Sequence, residues 1–165
     1  MEPSRILILG VGNILLRDEG VGVRVVERLE QEYVFSPGVE LMDGGTLGLK
    51  LLEPISRADR LIVVDAVLNH SPPGTLHRLE GEDLRKSLAF KSSLHQVDLV
   101  ETLAYSEILG KRPRTVVVGV EPEDMSSWGT ELTETVAARL PELVDAVVRE
   151  VEAAGGACRR LEAGK

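Results

Sequence analysis

One cysteine, two phenylalanines, two tyrosines and one tryptophan are all that 165 residues contain of the side chains that most often staple or anchor a small fold. The lone thiol, Cys158, closes no internal disulfide, and in a glycine-rich, charged stretch it reads as a bystander. Aromatic residues make up 3% of a chain that is 43% hydrophobic, so its core must be aliphatic, as expected of helices stacked on a valine-rich sheet. Positive charge is also scarce: 19 basic residues stand against 27 acidic ones, for a net −8. No run of Lys or Arg is longer than a pair, which argues against a nucleic-acid partner. The first apolar run, residues 6–9, is too short for a signal-peptide core or a membrane span, so a cytoplasmic protein with no membrane insertion is expected. Nucleophile motifs are missing as well, since there is no G-x-S-x-G.

What is present is a repeating alternation of aliphatic runs and amphipathic stretches. Residues 5–10 (RILILG) read as a buried strand, and residues 19–34 as a helix with Val21, Val25, Leu29 and Tyr33 at four-residue spacing. A second strand over 39–43 meets a Gly44-Gly45 turn, a helix covers 46–56, and 60–67 (RLIVVDAV) is the most buried-looking strand. This βαβαβ order predicts right-handed crossovers and a parallel core. Only a short turn separates Asp65 from the next extended run, 75–80, so that strand must run antiparallel. A short helix over 82–89, a longer one over 96–109 and a fifth strand over 114–120 follow. Residues 132–151 are helical, with Pro141 kinking the run or starting its second half. The expectation is one α/β domain, residues 1–154, with a frayed tail over 155–165. It is a three-layer αβα sandwich around a five-stranded, mostly parallel twisted sheet with one antiparallel strand.

Open sheets of this kind bind ligands beyond the carboxyl ends of their strands, and four of the five ends here are acidic. Strand one leads to Asn13 and the Asp18-Glu19 pair, strand two ends in Asp43, strand three in Asp65, and strand five in Glu121. Any one of them has an ordinary use as a cap or a solvated turn. Asp65 stands out, because it interrupts an apolar strand where an unpaired charge is costly. Ser93-Leu94-His95-Gln96 reads as a capping box that places His95 in the first turn of a helix, where the dipole opposes protonation and favours the metal-binding neutral ring. A cap histidine bonded to its own loop is the bland alternative. Asp98 lies on the same helix face, as an orienting partner of the ring or a plain surface acid. One histidine and two carboxylates suit zinc or nickel with open positions for water. Dinucleotide binding fails: Leu15 stands where the fingerprint needs its third glycine, and Asp18 and Glu19 would repel a pyrophosphate. Ile14, Leu15 and Leu16 either wall a peptide groove or pack under the first helix.

In order and spacing, residues 8–23 (ILGVGNILLRDEGVGV), Asp43-Gly44-Gly45-Thr46, residues 62–66 (IVVDA), Pro73-Gly74-Thr75, Ser93-Leu94-His95 and Gly119-Val120-Glu121-Pro122 resemble the hydrogenase maturation endopeptidases, over roughly residues 5–152. The resemblance implies an aspartyl-type peptidase that removes a C-terminal extension from the large-subunit precursor of a nickel-iron hydrogenase after nickel insertion. It places the family's metal-binding residues on Glu19, Asp65 and His95, and a motif bordering the substrate site on Asp43. The mechanism expected from these residues is that the three ligands engage nickel carried by the substrate, with an enzyme-held zinc as the alternative, and that a carboxylate, Asp65 or Asp43, activates water. Residues 123–130 depart from the family, and there Trp128 either touches the partner or caps the fold. A monomer is expected. Two readings from other classes remain: a non-catalytic metal-sensing chaperone of the same precursor, and a small-molecule metallohydrolase.

Overall fold

The computed structural model describes residues 4–45, 48–87, 99–110 and 112–162. Its centre is a five-stranded sheet of order β3-β1-β4-β6-β5, in which β1 is Ile6–Val11, β3 Val39–Gly45, β4 Arg60–Ala66, β5 Leu76–Glu80 and β6 Arg114–Val120. The first four pair in parallel and β5 runs antiparallel to β6, as expected from its short approach. All six residues of β1 are buried. Ile6 and Ile8 enter one aliphatic core while Leu7, Leu9 and Val11 enter the other, so alternate side chains of one strand serve both layers. The first core is covered by α1 (Val21–Glu32) and α5 (Leu140–Ala153), and the second by α2 (Leu52–Arg57) and α3 (Leu99–Ile108). Among the described residues no helix is long and apolar enough to cross a membrane.

Several expected elements are shaped differently. The first helix begins at Val21 behind a 3-10 turn, Arg17–Gly20, and ends before Val34, which lies in a short strand β2 (Tyr33–Phe35). The stretch expected as a helix over 46–56 is a 3-10 turn, Gly48–Leu51, followed by α2, whose Pro54 sits early enough to need no intrahelical donor. The short helix expected over 82–89 is a 3-10 turn, Gly81–Lys86, which stops where Ser87 pairs with Val67 in an isolated antiparallel bridge. The run 132–151 divides into α4 (Glu134–Ala137) and α5, with Pro141 in the first turn of the latter. The expected frayed tail is corrected too: β7 (Cys158–Arg160) pairs antiparallel with β2, and Gly156 packs near Val151, Ile6 and Val39. Backbone hydrogen bonds to the end of α1 give this stretch a partner that its composition did not announce. Cys158 is half-buried there, and burial raises its thiol pKa, which lowers its reactivity.

The chain leaves β1 towards β3 on one side, then returns to place β4 on the other, so the strand order switches between β1 and β4. That is where a crevice opens in this class of sheet. Helix α1 sits tightly over it: a Cβ on Gly22 would lie 1.9 Å from the Val64 carbonyl oxygen and 2.8 Å from that of Val11. Only glycine lets the helix start this close to both strand ends.

Candidate active site

Glu19 and Asp65 flank the switch point, one in the loop after β1 and the other near the end of β4, on strands paired in parallel register. The loop reaches its place through Gly12, whose φ of 118° is open only to glycine and whose missing side chain leaves room for the Glu19 carbonyl. Asn13 then organises the turn: its side-chain oxygen accepts from Leu15 N–H at 2.9 Å, and its carbonyl from Leu16 N–H at 3.1 Å. The Asn13 backbone N–H also favours the charged form of the Glu19 carboxylate. Glu19 is half-buried, and desolvation raises its pKa above the ordinary Glu value, with the Asn13 hydrogen bond pulling the other way. Among the described residues it is therefore a carboxylate with little to offset its desolvation, a state that favours a nearby cation.

Asp65 points to the face of the sheet opposite α1, in line with Leu61 and Val63, and is almost wholly buried. The Ser87 hydroxyl donates to its Oδ2 at 2.6 Å, and Ser87 is itself fully buried. This bond, with the Val67–Ser87 bridge and the Leu68 N–H donated to the Lys86 carbonyl, brings the chain back to the carboxyl edge just before residues 88–98. His95 and Asp98 lie outside the described residues. Among the described residues no group of three His, Cys, Asp or Glu side chains is arranged to hold a metal. Asp43 is exposed at the end of β3, level with Gly10 of β1 and so on the same edge.

Two acids of that edge have structural work that sequence reasoning missed. Asp18 is fully buried, and its carboxylate accepts from the N–H groups of Glu123, Asp124 and Thr133 at 2.9 to 3.0 Å and from the Thr133 hydroxyl at 2.8 Å. It ties the loop after β1 to the loop after β6. Arg17 adds to the joint: it adopts φ 51°, in the left-handed region, while its N–H donates to the Gly129 carbonyl and its side chain reaches Glu131 O and Asp124. Glu121 is likewise buried and accepts from Asn69 N–H, Ser71 N–H and, at 3.1 Å, His77 Nε2. It moors the segment between β4 and β5 rather than facing a ligand. Nothing local marked these roles except the identity of His77 on an otherwise plain edge strand.

Leu15 is exposed, Ile14 is partly exposed and lies beside Gly20 at the start of α1, Leu16 is half-buried, and Trp128 is exposed, so it caps nothing. Gly129 joins the two loops, donating to the Leu15 carbonyl at 2.9 Å and bridging Leu16. The carboxyl edge thus carries a partly desolvated acid, a buried acid and an apolar rim within one connected set of loops.

Comparison with known proteins identifies the family and the fold. The hydrogenase maturation protease family matches residues 23–150. The hydrogenase 2 maturation protease of Escherichia coli is 40% identical over 153 residues, which cover 92% of this chain and 93% of that protein. The hydrogenase expression/formation protein HupD of Thiocapsa roseopersicina is 39% identical over 98% of this chain and 74% of its own length. Among solved structures, the hydrogenase maturating endopeptidase HybD from E. coli superposes with a TM-score of 0.86 at 39% identity, covering 94% of this chain and 97% of that one. The fold is that of a hydrogenase maturation endopeptidase, and the chain belongs to the hydrogenase maturation proteases, a family of peptide-bond hydrolases.

Proposed function

We propose that this protein, acting as a monomer in the cytoplasm, removes the C-terminal extension of a nickel-iron hydrogenase large-subunit precursor once nickel is in place. In this reading Glu19, Asp65 and His95 engage the nickel that the precursor brings, using it as proof of complete assembly and as an anchor for the segment to be cut. The observation that carries the reading is the pairing of a half-buried, under-bonded Glu19 with a buried Asp65 across the switch point of the sheet. A carboxylate in partial desolvation gains more from a nearby cation than one in water, because the interaction is less screened. Ser87 fixes the orientation of Asp65, so that group enters the encounter with little freedom left to lose.

For hydrolysis, a carboxylate of this edge, Asp65 or the exposed Asp43, takes a proton from water as its oxygen attacks the scissile carbonyl carbon. The same proton passes to the leaving amine nitrogen as the C–N bond breaks.

The test is the intact mass of nickel-loaded and nickel-free precursor after incubation with wild type and with Glu19→Gln. Loss of a C-terminal peptide only from the nickel-loaded form, and only with wild type, is the expected result. Unchanged mass with binding retained would replace this reading with a chaperone. Stoichiometric zinc in protein purified without added metal, with cutting of the nickel-free form, would replace substrate-borne nickel with a resident ion.

A further inference from the structure

We propose that Trp128, with Ile14 and Leu15, is an apolar anchor that grips the folded body of the hydrogenase precursor beside the tail to be cut. The inference rests on the function just proposed and adds how the substrate is held. Trp128 is the only indole in the chain and is 79% exposed; Leu15 is 48% exposed and Ile14 36%. Single exposed apolar side chains are ordinary, but three on two loops that are hydrogen-bonded to each other at one edge form a candidate contact surface.

The loop that displays it is not a loose one. Asp18 accepts from Glu123 and Asp124 N–H, and Asp124 accepts from Ser126 and Ser127 N–H at 3.1 and 3.0 Å. Gly129, the next residue after Trp128, is hydrogen-bonded in both directions to the first loop, through Leu15 O and Arg17 N. The indole is therefore presented by a backbone fixed on both sides, which removes the ordering cost that would otherwise weaken an anchor.

Position selects the occupant. Leu15 and Glu19 belong to the same loop, so whatever sits on the apolar rim is held next to the proposed ligands. A projecting indole complements a pocket in a folded surface, the setting in which tryptophan dominates binding energy, better than it complements an extended peptide, which needs walls on two sides. The folded part of the precursor is the surface that must come there when its tail is cut.

The experiment uses the full chain labelled with 5-fluorotryptophan, which gives a single indole 19F signal, and steady-state cleavage of nickel-loaded precursor by wild type, Trp128→Ala, Trp128→Phe and Ile108→Ser. Ile108 is exposed on α3 and serves as an apolar control away from the rim. Precursor should shift or broaden the fluorine signal. Trp128→Ala should raise KM about tenfold with kcat within about twofold, Phe should recover part of the loss, and Ile108→Ser should match wild type. Cleavage with an unmoved signal and an unchanged KM would overturn the anchor while leaving the proposed function standing. A signal that moves with enzyme concentration alone would overturn it in favour of a second copy of this chain. Precursor neither cut nor bound would remove the proposed function and the anchor together.

Discussion

Asp18 and Glu19 are adjacent acids on one 3-10 turn, yet they live in opposite conditions. Asp18 is fully buried and saturated by donors from residues 123–133, whereas Glu19 is half-buried and, among the described residues, only the Asn13 backbone offsets its desolvation. The lesson is that burial alone does not mark a functional carboxylate. A buried acid whose lone pairs are all taken by its own chain is a structural joint, and one left partly unserved is available to something that arrives.

The sharpest way to break this comparison is to exchange the two acids' consequences by mutation. Asp18→Ala strands three backbone N–H groups and a hydroxyl, and should cost about 3 kcal/mol of stability, seen as a Tm lower by about 9 °C for a domain of this size. A Tm within about 2 °C of wild type would show that those donors re-pair with water and that the joint is dispensable. Glu19→Gln should do the reverse, slowing cleavage at least about 100-fold in the precursor assay while leaving the Tm at or above that of wild type. The pH dependence follows from the raised pKa. The folded chain holds the Glu19 proton to higher pH than the unfolded chain, so stability falls as pH rises from the ordinary Glu value through the raised one. Glu19→Gln removes that slope, and parallel Tm curves for mutant and wild type across the acidic range would contradict it.

Two hydroxyls extend the contrast at smaller scale. Thr133 donates to Asp18 and accepts from Val136 N–H as the cap of α4, so Thr133→Val should lose about 1 to 2 kcal/mol in urea unfolding with kcat little changed. Ser87 donates to Asp65, so Ser87→Ala should lose about 1 kcal/mol or less but slow cleavage more than Thr133→Val does. If the two variants ranked the other way in rate, Asp65 would be the joint and Asp18 the working group.

The sheet was legible because β1, β4 and β6 each centre on an aliphatic run whose alternate side chains feed two cores at once. The antiparallel β5 followed from the shortness of its connection. Glu19, Asp65 and Asp43 were found on the carboxyl edge because strand ends are countable from sequence. The roles of Asp18 and Glu121 were not legible: their donors are mainly backbone N–H groups, which every residue has, and those of Asp18 lie 105 to 115 residues away. The β2–β7 pair escaped for a related reason, since three-residue strands carry too few alternations to be read. Proline placement in 132–151 left two options open, and packing selected the break between α4 and α5.

The bond between Asp18 and Thr133 also has a meaning in time. A chain emerging from the ribosome completes residues 19, 65 and 95 long before residue 133, so every proposed ligand exists while the acid beside Glu19 still lacks its partners. Until the loop after β6 arrives, the turn that carries Asp18 and Glu19 lacks the donors that brace it. A nascent chain built this way holds the proposed ligands from early in synthesis and braces the turn beside Glu19 only near the end.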